Sequence, residues 1–232
     1  VARCLLCHDA PCSAACPAGT DPARFIRSLR FSNLWGAAET IRENNPLGAS
    51  CSRICPVNEL CEGACARSRL DAPVKIAKLQ RFITDEERRL DMHILEAGAP
   101  NGKKVACVGA GPASLACAVE LARKGCKVTV FEETAQPGGM LSFGIPPFRL
   151  PQEIVDFDLS RIEKLGIEFF CDTHLTAHDL DNLLERYDAV FVGTGLMKPK
   201  TLDLPGKELD GVHHALDWLK TARLEKPSEK GN

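Results

Sequence analysis

The sequence predicts two successive parts: an α-helical domain over residues 1–98, followed by an α/β domain over residues 99–232 with a parallel, doubly wound sheet. Two observations support this prediction. Eight of the twelve cysteines lie between Cys4 and Cys65, in a stretch that has short helical patterns and no convincing strand. After residue 98, short apolar runs alternate with helical patterns, which is typical of a parallel sheet. A segment rich in Gly, Pro and Asn at 97–102 separates the two parts.

The overall composition is that of a globular protein and gives no support for a nucleic-acid-binding or membrane-spanning protein. The chain has 232 residues, of which 44% are hydrophobic and 26% charged, so it can bury a proper core. A net charge of −2 gives no electrostatic basis for binding nucleic acid or an anionic membrane. The sequence contains no apolar run long enough to span a bilayer and no N-terminal signal pattern, so a cytoplasmic location is expected.

The helical part contains three predicted helices. Thr20-Asp-Pro22 resembles a helix cap followed by proline in the first turn, and it precedes apolar residues at helical spacing. A second short helix is predicted over 37–44, where Asn45-Pro46 stops it. A longer amphipathic helix is predicted from Val74 towards Leu90.

The second part begins with a strand, a glycine-rich turn and a helix. Lys124-Gly125 ends this helix in the manner of a glycine C-cap, and a capping box opens a later helix at Thr176. The predicted elements are, in order, strand 103–108, helix 115–123, strand 127–131, a Gly/Pro-rich loop 136–151, helix 152–165, strand 167–171, helix 180–187 and strand 189–192.

The clustered cysteines form two groups. The first has the spacing Cys4-x2-Cys7-x4-Cys12-x3-Cys16, and the second has Cys51-x3-Cys55 and then Cys61-x3-Cys65. Proline follows Cys16 and Cys55. Proline also follows the last cysteine of the bacterial ferredoxin motif, and in that motif the last cysteine binds a different cluster from the other three. Iron–sulfur clusters, structural zinc and disulfides are the three candidate uses of such spacing. The neighbouring nucleotide-binding pattern favours iron–sulfur clusters, because a redox cofactor gives clusters something with which to exchange electrons.

The nucleotide-binding pattern is Gly109-x-Gly111-x-x-Ser114, which follows a predicted strand and opens a helix. Glu132 ends the next strand, at the distance expected for an acid that binds a ribose hydroxyl. Ser114 replaces the usual third Gly or Ala and is small enough for close packing. The alternative is a structural turn that binds no nucleotide.

Two further glycine-rich turns favour FAD over NAD at this site. Pro137-Gly-Gly139 follows the predicted ribose acid, and Gly193-Thr194-Gly195 follows a later strand of the same sheet. The second turn is not expected to open another phosphate-binding helix, because Pro199 would interrupt it.

Four motifs together resemble the N-terminal half of dihydropyrimidine dehydrogenase, in particular its bacterial NAD-dependent electron-input subunit. The glutamate synthase small subunit is similar at a greater distance. The motifs are Cys-Leu-Leu-Cys-His-Asp-Ala-Pro-Cys at 4–12, Asn-Pro-Leu-Gly at 45–48, Leu-Gln-Arg-Phe-Ile-Thr-Asp at 79–85 and Phe-Gly-Ile-Pro-Pro-Phe-Arg-Leu-Pro at 143–151.

This resemblance implies two sets of cluster ligands and one flavin site. One [4Fe–4S] cluster is expected on Cys4, Cys7, Cys12 and Cys65. The second is expected on Cys16, Cys55, Cys61 and Gln80, which leaves Cys51 without a ligand role although its spacing alone would suggest one. The residues expected to contact FAD are Gly109, Ala110, Gly111, Pro112, Ala113, Ser114, Glu132, Gly138, Gly139, Met140, Arg149, Thr194 and Gly195.

The resemblance also implies a function in electron transfer. NAD(P)H would reduce FAD, and electrons would pass through the clusters to an FMN-containing catalytic subunit or domain that reduces uracil or thymine to the 5,6-dihydropyrimidine. No side chain of this chain need act as an acid or base on the pyrimidine. The family continues into an NAD(P)-binding domain and a return segment at the flavin, and this sequence ends before both. The chain alone is therefore not expected to oxidise NADH at a useful rate.

Two alternatives remain open. One is electron input like that of the glutamate synthase small subunit, where the residue matching Gln80 is typically glutamate. The other is a zinc-stapled binding module without redox activity. Light absorption near the blue end of the visible spectrum separates clusters from zinc.

Overall fold

A computed structural model describes residues 1–196, 200 and 202–224 of the chain, and it has the predicted fold class. Pro199 lies outside these residues. Six helical segments precede a sheet of four strands. The helices of the first part are α1 (Pro11–Ala14), α2 (Pro22–Arg30), α3 (Leu34–Asn44), α4 (Gly48–Ile54), a 3-10 turn (Ala66–Arg69) and α5 (Ile76–Arg89). The second part contains β1 (Lys104–Val108), α6 (Pro112–Arg123), β2 (Lys127–Phe131), α7 (Met140–Phe143), α8 (Gln152–Glu163), β3 (Glu168–Phe170), α9 (Ala177–Arg186), β4 (Ala189–Val192) and α10 (Ala215–Leu224).

The predicted helix starts have the expected caps. Asp21 accepts a hydrogen bond from the Arg24 backbone N–H, and Pro22 occupies the first turn of α2. The capping box at Thr176 and Asp179 is present at the start of α9. Helix α6 begins at Pro112, three residues earlier than predicted, so the glycine-rich pattern runs directly into the helix.

The helical part has its own apolar core, which includes Phe25, Ile26, Ile41 and Ile83. Helices α2, α3 and α5 supply these side chains. No helix within the described ranges has both the length and the apolar character needed to cross a membrane.

The sheet has the strand order β3-β2-β1-β4, and all of its strands are parallel. Cys107 and Val128 face a core that also contains Ala118 of α6 and Ile162 of α8. Alternate residues of β1 face a second cluster with Leu183 of α9. The sheet is therefore covered by helices on both faces, as the prediction of a doubly wound domain requires.

The two parts share a buried interface between α4 and α8. Leu47 and Ala49 belong to the same apolar cluster as the helices that cover the sheet. The Asp158 carboxylate accepts hydrogen bonds from the backbone N–H groups of Ala49 and Ser50, at 3.4 and 2.8 Å, and so caps the N-terminus of α4. The predicted division at residue 98/99 remains a prediction. Gly98 itself is tied to α6, because its N–H donates to the carbonyl oxygen of Ala122.

A cluster of buried charges lies in this interface. The Nε atom of Arg42 donates to both carboxylate oxygens of Glu87 at 3.0 Å, and its Nη1 atom donates to Asp158 Oδ1 at 2.6 Å. All three side chains are at most 1% exposed. We call Arg42, Glu87 and Asp158 the interface ion cluster, and sequence analysis did not identify it.

Candidate functional site

The candidate nucleotide site lies at the carboxyl ends of β1 and β4. The chain proceeds outward from β1 to β2 and β3, and β4 then pairs with the other side of β1. Ligands of open α/β sheets bind at such a change of direction, outside the carboxyl ends of the strands. The Gly109–Gly111 turn follows β1 and the Gly193–Gly195 turn follows β4, so the fold brings the two predicted turns together.

Gly109 is required by the shape of this turn. Its φ angle is +91°, and an added Cβ would lie 2.7 Å from the carbonyl oxygen of Gly193. The predicted turn at Pro137-Gly-Gly139 contacts the turn after β1, because the Gly138 N–H donates a hydrogen bond to the Ala110 carbonyl oxygen at 2.9 Å. The three glycine turns named from the sequence thus meet at one edge of the sheet.

Glu132, the predicted ribose acid, supports the first turn. Its Oε2 atom accepts a hydrogen bond from the Ala110 N–H at 2.6 Å, and Oε1 accepts bonds from the N–H and hydroxyl of Thr134 at 2.9 and 2.7 Å. The carboxylate is therefore fixed beside the glycine turn by backbone and side-chain donors.

Ser114 fills the space beside the turn after β4. It is fully buried, and its hydroxyl lies 3.5 Å from the Gly193 carbonyl oxygen. An added Cβ on Gly193 would lie 2.2 Å from Ser114 Oγ and 2.9 Å from Phe191 Cε1. The absence of a side chain at 193 thus compensates for a serine where the nucleotide-binding pattern usually has Gly or Ala.

We expect Gly193→Ala to destabilise the protein by about 1–3 kcal/mol, because it overpacks this contact. Adding Ser114→Gly should restore the larger part of the loss, since that change removes the closest clashing atom. Thermal melting of the single and double variants measures both effects, with Ser114→Gly alone as the control. A double variant that melts as low as Gly193→Ala would show that Ser114 is not the limiting neighbour.

The loop predicted over 136–151 contains the short helix α7 and approaches the helical part. Met140 opens α7 and is partly exposed. Arg149 follows α7. Its Nη2 atom donates a hydrogen bond to the carbonyl oxygen of Ile54 at a distance of 3.5 Å. Ile54 ends α4 and directly precedes Cys55. The loop with predicted flavin contacts therefore touches the chain beside a predicted cluster ligand.

Cysteines of the first predicted ligand set lie near the N-terminus of the helical part. Cys4 and Cys7 belong to the loop before α1, and Cys12 lies within α1. Burial raises the pKa of the Cys12 thiol, and the nearby thiols of Cys65 and Cys4 raise it further. The fold therefore brings Cys4, Cys12 and Cys65 within electrostatic reach of one another.

The second group gathers around the C-terminus of α4. Burial raises the pKa of Cys55 to about 11, with Cys51 and Cys16 adding to the shift. Burial likewise raises the pKa of Cys61 to about 12, and Cys55 and Cys16 again contribute. The structure thus places Cys51 among the predicted ligands Cys16, Cys55 and Cys61, although the family resemblance gives it no ligand role.

The donor chemistry of both groups fits metal–sulfur centres. Their thiols are partly or fully buried, and all twelve cysteines of the chain are free. Thiolates brought close together repel one another, and a positively charged metal centre removes that repulsion while releasing the thiol protons. Within residues 1–196, 200 and 202–224, no three or more Cys, His, Asp or Glu side chains are arranged to hold a single metal ion. The two ligand sets remain predictions.

Comparison with known proteins matches two segments of the chain to protein families. Residues 1–92 match the family described as dihydropyrimidine dehydrogenase domain II, 4Fe-4S cluster. Residues 107–159 match the family described as NAD(P)-binding Rossmann-like domain. Over 222 residues, or 95% of its length, the chain is 50% identical to the NAD-dependent dihydropyrimidine dehydrogenase subunit PreT of Escherichia coli K12. The chain is a homologue of these dihydropyrimidine dehydrogenase subunits.

Two further matches are more distant. The small chain of glutamate synthase [NADPH] from Escherichia coli is 36% identical over 94% of the chain. The solved complex of 2-naphthoyl-CoA reductase with 2-naphthoyl-CoA has a TM-score of 0.50 and 20% identity over 88% of this chain and 28% of that one, a likeness of fold alone.

The chain thus matches a 4Fe-4S domain family in its first part and a Rossmann-like domain family in its second part. It spans about half the length of the curated relatives it matches, 53% of PreT and 46% of the glutamate synthase small chain.

Proposed function

We propose that this chain forms the electron-input part of a dihydropyrimidine dehydrogenase, with FAD at the glycine turns and two [4Fe–4S] clusters on the cysteine groups. The observation that carries the proposal is the contact between Arg149 and Ile54, because it joins the proposed flavin loop to the residue before Cys55. When bound, FAD accepts hydride from NAD(P)H and the clusters carry single electrons. The partner is an FMN-containing catalytic subunit or domain that reduces uracil or thymine.

The residues around the glycine turns would bind and orient the nucleotide. The N-terminus of α6 at Pro112 favours the negative charge of a pyrophosphate. Glu132 keeps the Ala110 N–H and the following turn in place through its hydrogen bonds. Gly138, Gly139, Met140, Thr194 and Gly195 complete the proposed contacts on the same edge of the sheet.

The cysteine groups would hold the clusters near this edge and set their properties. Cys4, Cys7, Cys12 and Cys65 form the first proposed ligand set, and Cys16, Cys55, Cys61 and Gln80 form the second. A neutral amide in place of a thiolate leaves the second cluster with one negative charge fewer, which should shift its reduction potential. Gln80 also favours the pyrimidine branch over the glutamate synthase branch, where glutamate is typical at this position.

Metal and flavin analysis of the anaerobically purified and reconstituted protein tests this proposal. We expect about eight iron and about eight acid-labile sulfide per chain, together with bound FAD and a broad absorption near the blue end of the visible spectrum. The control is the same protein treated with an iron chelator under reducing conditions, which should lose that absorption. Two zinc without sulfide would contradict the proposal and support a zinc-stapled module instead.

A further inference from the structure

The segment before α1, which carries Cys4, is held against the rest of the protein by one arginine. The Nη2 atom of Arg3 donates a hydrogen bond to the Ala72 carbonyl oxygen at 2.8 Å and lies 3.0 Å from Asp71 Oδ1. Among the described residues, none within 1–9 other than Arg3 makes a hydrogen bond to a residue beyond that segment. The hydrogen bonds that hold this segment in place therefore all involve Arg3.

Arg67 completes the same contact from the other side. Its Nη1 atom donates to the Arg3 carbonyl oxygen at 3.2 Å, although the two residues are 64 positions apart in the sequence. Its Nε and Nη2 atoms donate to the two carboxylate oxygens of Asp71, at 2.7 and 3.0 Å. This two-point pairing holds the guanidinium in a fixed orientation. We call Arg3, Arg67 and Asp71 the arginine clamp.

Both ends of the arginine clamp lie beside members of the first proposed ligand set. Arg3 directly precedes Cys4, and Arg67 belongs to the 3-10 turn whose N-cap residue is Cys65. The Cys65 carbonyl oxygen accepts hydrogen bonds from the hydroxyl and the N–H of Ser68, at 2.6 and 3.0 Å, which fixes the turn to the cysteine. The contact between the two arginines thus constrains the separation of the two cysteines.

We propose that the arginine clamp is a positioning device that holds Cys4 and Cys65 at the separation that a shared cluster requires. This inference rests on the proposed function, because it requires the first cluster. Ligands that are already held in place lose less conformational freedom when the iron binds. The three side chains are 25–49% exposed, so salt should weaken the clamp. Two-point geometry within a network of charges is the case in which exposed ion pairs do contribute.

The test compares Arg3→Met and Asp71→Asn with the control Glu86→Gln after anaerobic reconstitution of the chain. Glu86 is also bound at both carboxylate oxygens by an arginine, Arg89, but these two residues lie three positions apart on α5 and join no separate segments. Iron release to a chelator is followed over time. Mass spectrometry identifies the cysteines that become alkylated, and so shows which cluster is lost.

Arg3→Met and Asp71→Asn should each release the first cluster about fivefold faster than the unaltered chain, with the second cluster retained. One variant removes a positive charge and the other a negative charge, so an effect of charge on the cluster alone would have opposite signs in the two. The double variant should be no faster than the faster single variant, because both changes break one clamp. Salt at about 1 M should bring the unaltered chain close to the rate of Asp71→Asn.

Trypsin cleavage after Arg3 tests the clamp independently of iron content. Trypsin binds the arginine side chain in a pocket that contains a carboxylate, so Arg3 must leave Asp71 before the bond is cut. Cleavage there should be about fivefold faster in Asp71→Asn than in the unaltered chain, and unchanged in Glu86→Gln. Peptide mass spectrometry measures the rate.

Release of the first cluster at the unaltered rate in Asp71→Asn would overturn the inference, as would opposite changes in Arg3→Met and Asp71→Asn. Simultaneous loss of both clusters in either variant would show a general loss of stability and would overturn it as well. Unaltered protein without sulfide would instead contradict the proposed function, whereas the trypsin result would still show whether the clamp holds the segment.

Discussion

Replacing Arg42 with methionine is expected to destabilise the protein by about 3–5 kcal/mol, because it leaves Glu87 and Asp158 as buried carboxylates without their cation. Methionine keeps much of the side-chain volume, so the loss reports charge and hydrogen bonding more than packing. For a chain of this size, the melting temperature should fall by about 6–20 °C. Thermal melting followed by circular dichroism measures the change.

The matched control is Arg24→Met on the neighbouring helix α2. Arg24 also bonds a glutamate, Glu43, at 2.7 Å, but both side chains are about half exposed. An exposed pair of this kind contributes less than about 1 kcal/mol. If the Arg42 and Arg24 variants lost the same small amount of stability, the interface ion cluster would not hold the two parts together as we describe.

Gly111→Ser should weaken FAD binding at least tenfold, or by about 1.4 kcal/mol, while the protein remains folded. Gly111 is the N-cap of α6 and has an extended φ of −74°, so serine suits both its conformation and its capping position. The nearest atom to an added Cβ is 4.0 Å away, which leaves that space open to an approaching pyrophosphate. Fluorescence titration with FAD measures the loss, and titration with NADH shows whether the site prefers the other dinucleotide.

Gly109→Ala provides the contrast to this variant. Its Cβ would meet the Gly193 carbonyl oxygen at 2.7 Å in a backbone conformation that disfavours alanine, so both melting temperature and FAD binding should fall. Gly111→Ser should change only binding. Unaltered FAD affinity in Gly111→Ser would mean that the pyrophosphate does not approach this turn.

Features with a local signal could be predicted from the sequence. The glycine turn, the strand before it and the acid at Glu132 follow a pattern set by close backbone contacts within one βαβ unit. The capping box at Thr176 lies within a single turn, and the structure contains it.

Features that depend on distant partners could not be predicted in this way. Helix α4 was missed because Leu47, its N-cap residue, makes no side-chain cap, and its cap is Asp158 on α8. Nothing in the sequence around Arg42 distinguishes a buried cluster from a solvated helix face.

The cap of α4 by Asp158 also bears on the order of events when the protein is made. A seven-residue helix without a local cap is marginal by itself, and its capping carboxylate is 108 residues away along the chain. We therefore expect the start of α4 to be fixed only once α8 has left the ribosome and packed against it, after Cys51 and Cys55 have been translated. Insertion of a cluster at the second cysteine group should follow synthesis of the sheet's first two strands, although every cysteine of that group is translated before them.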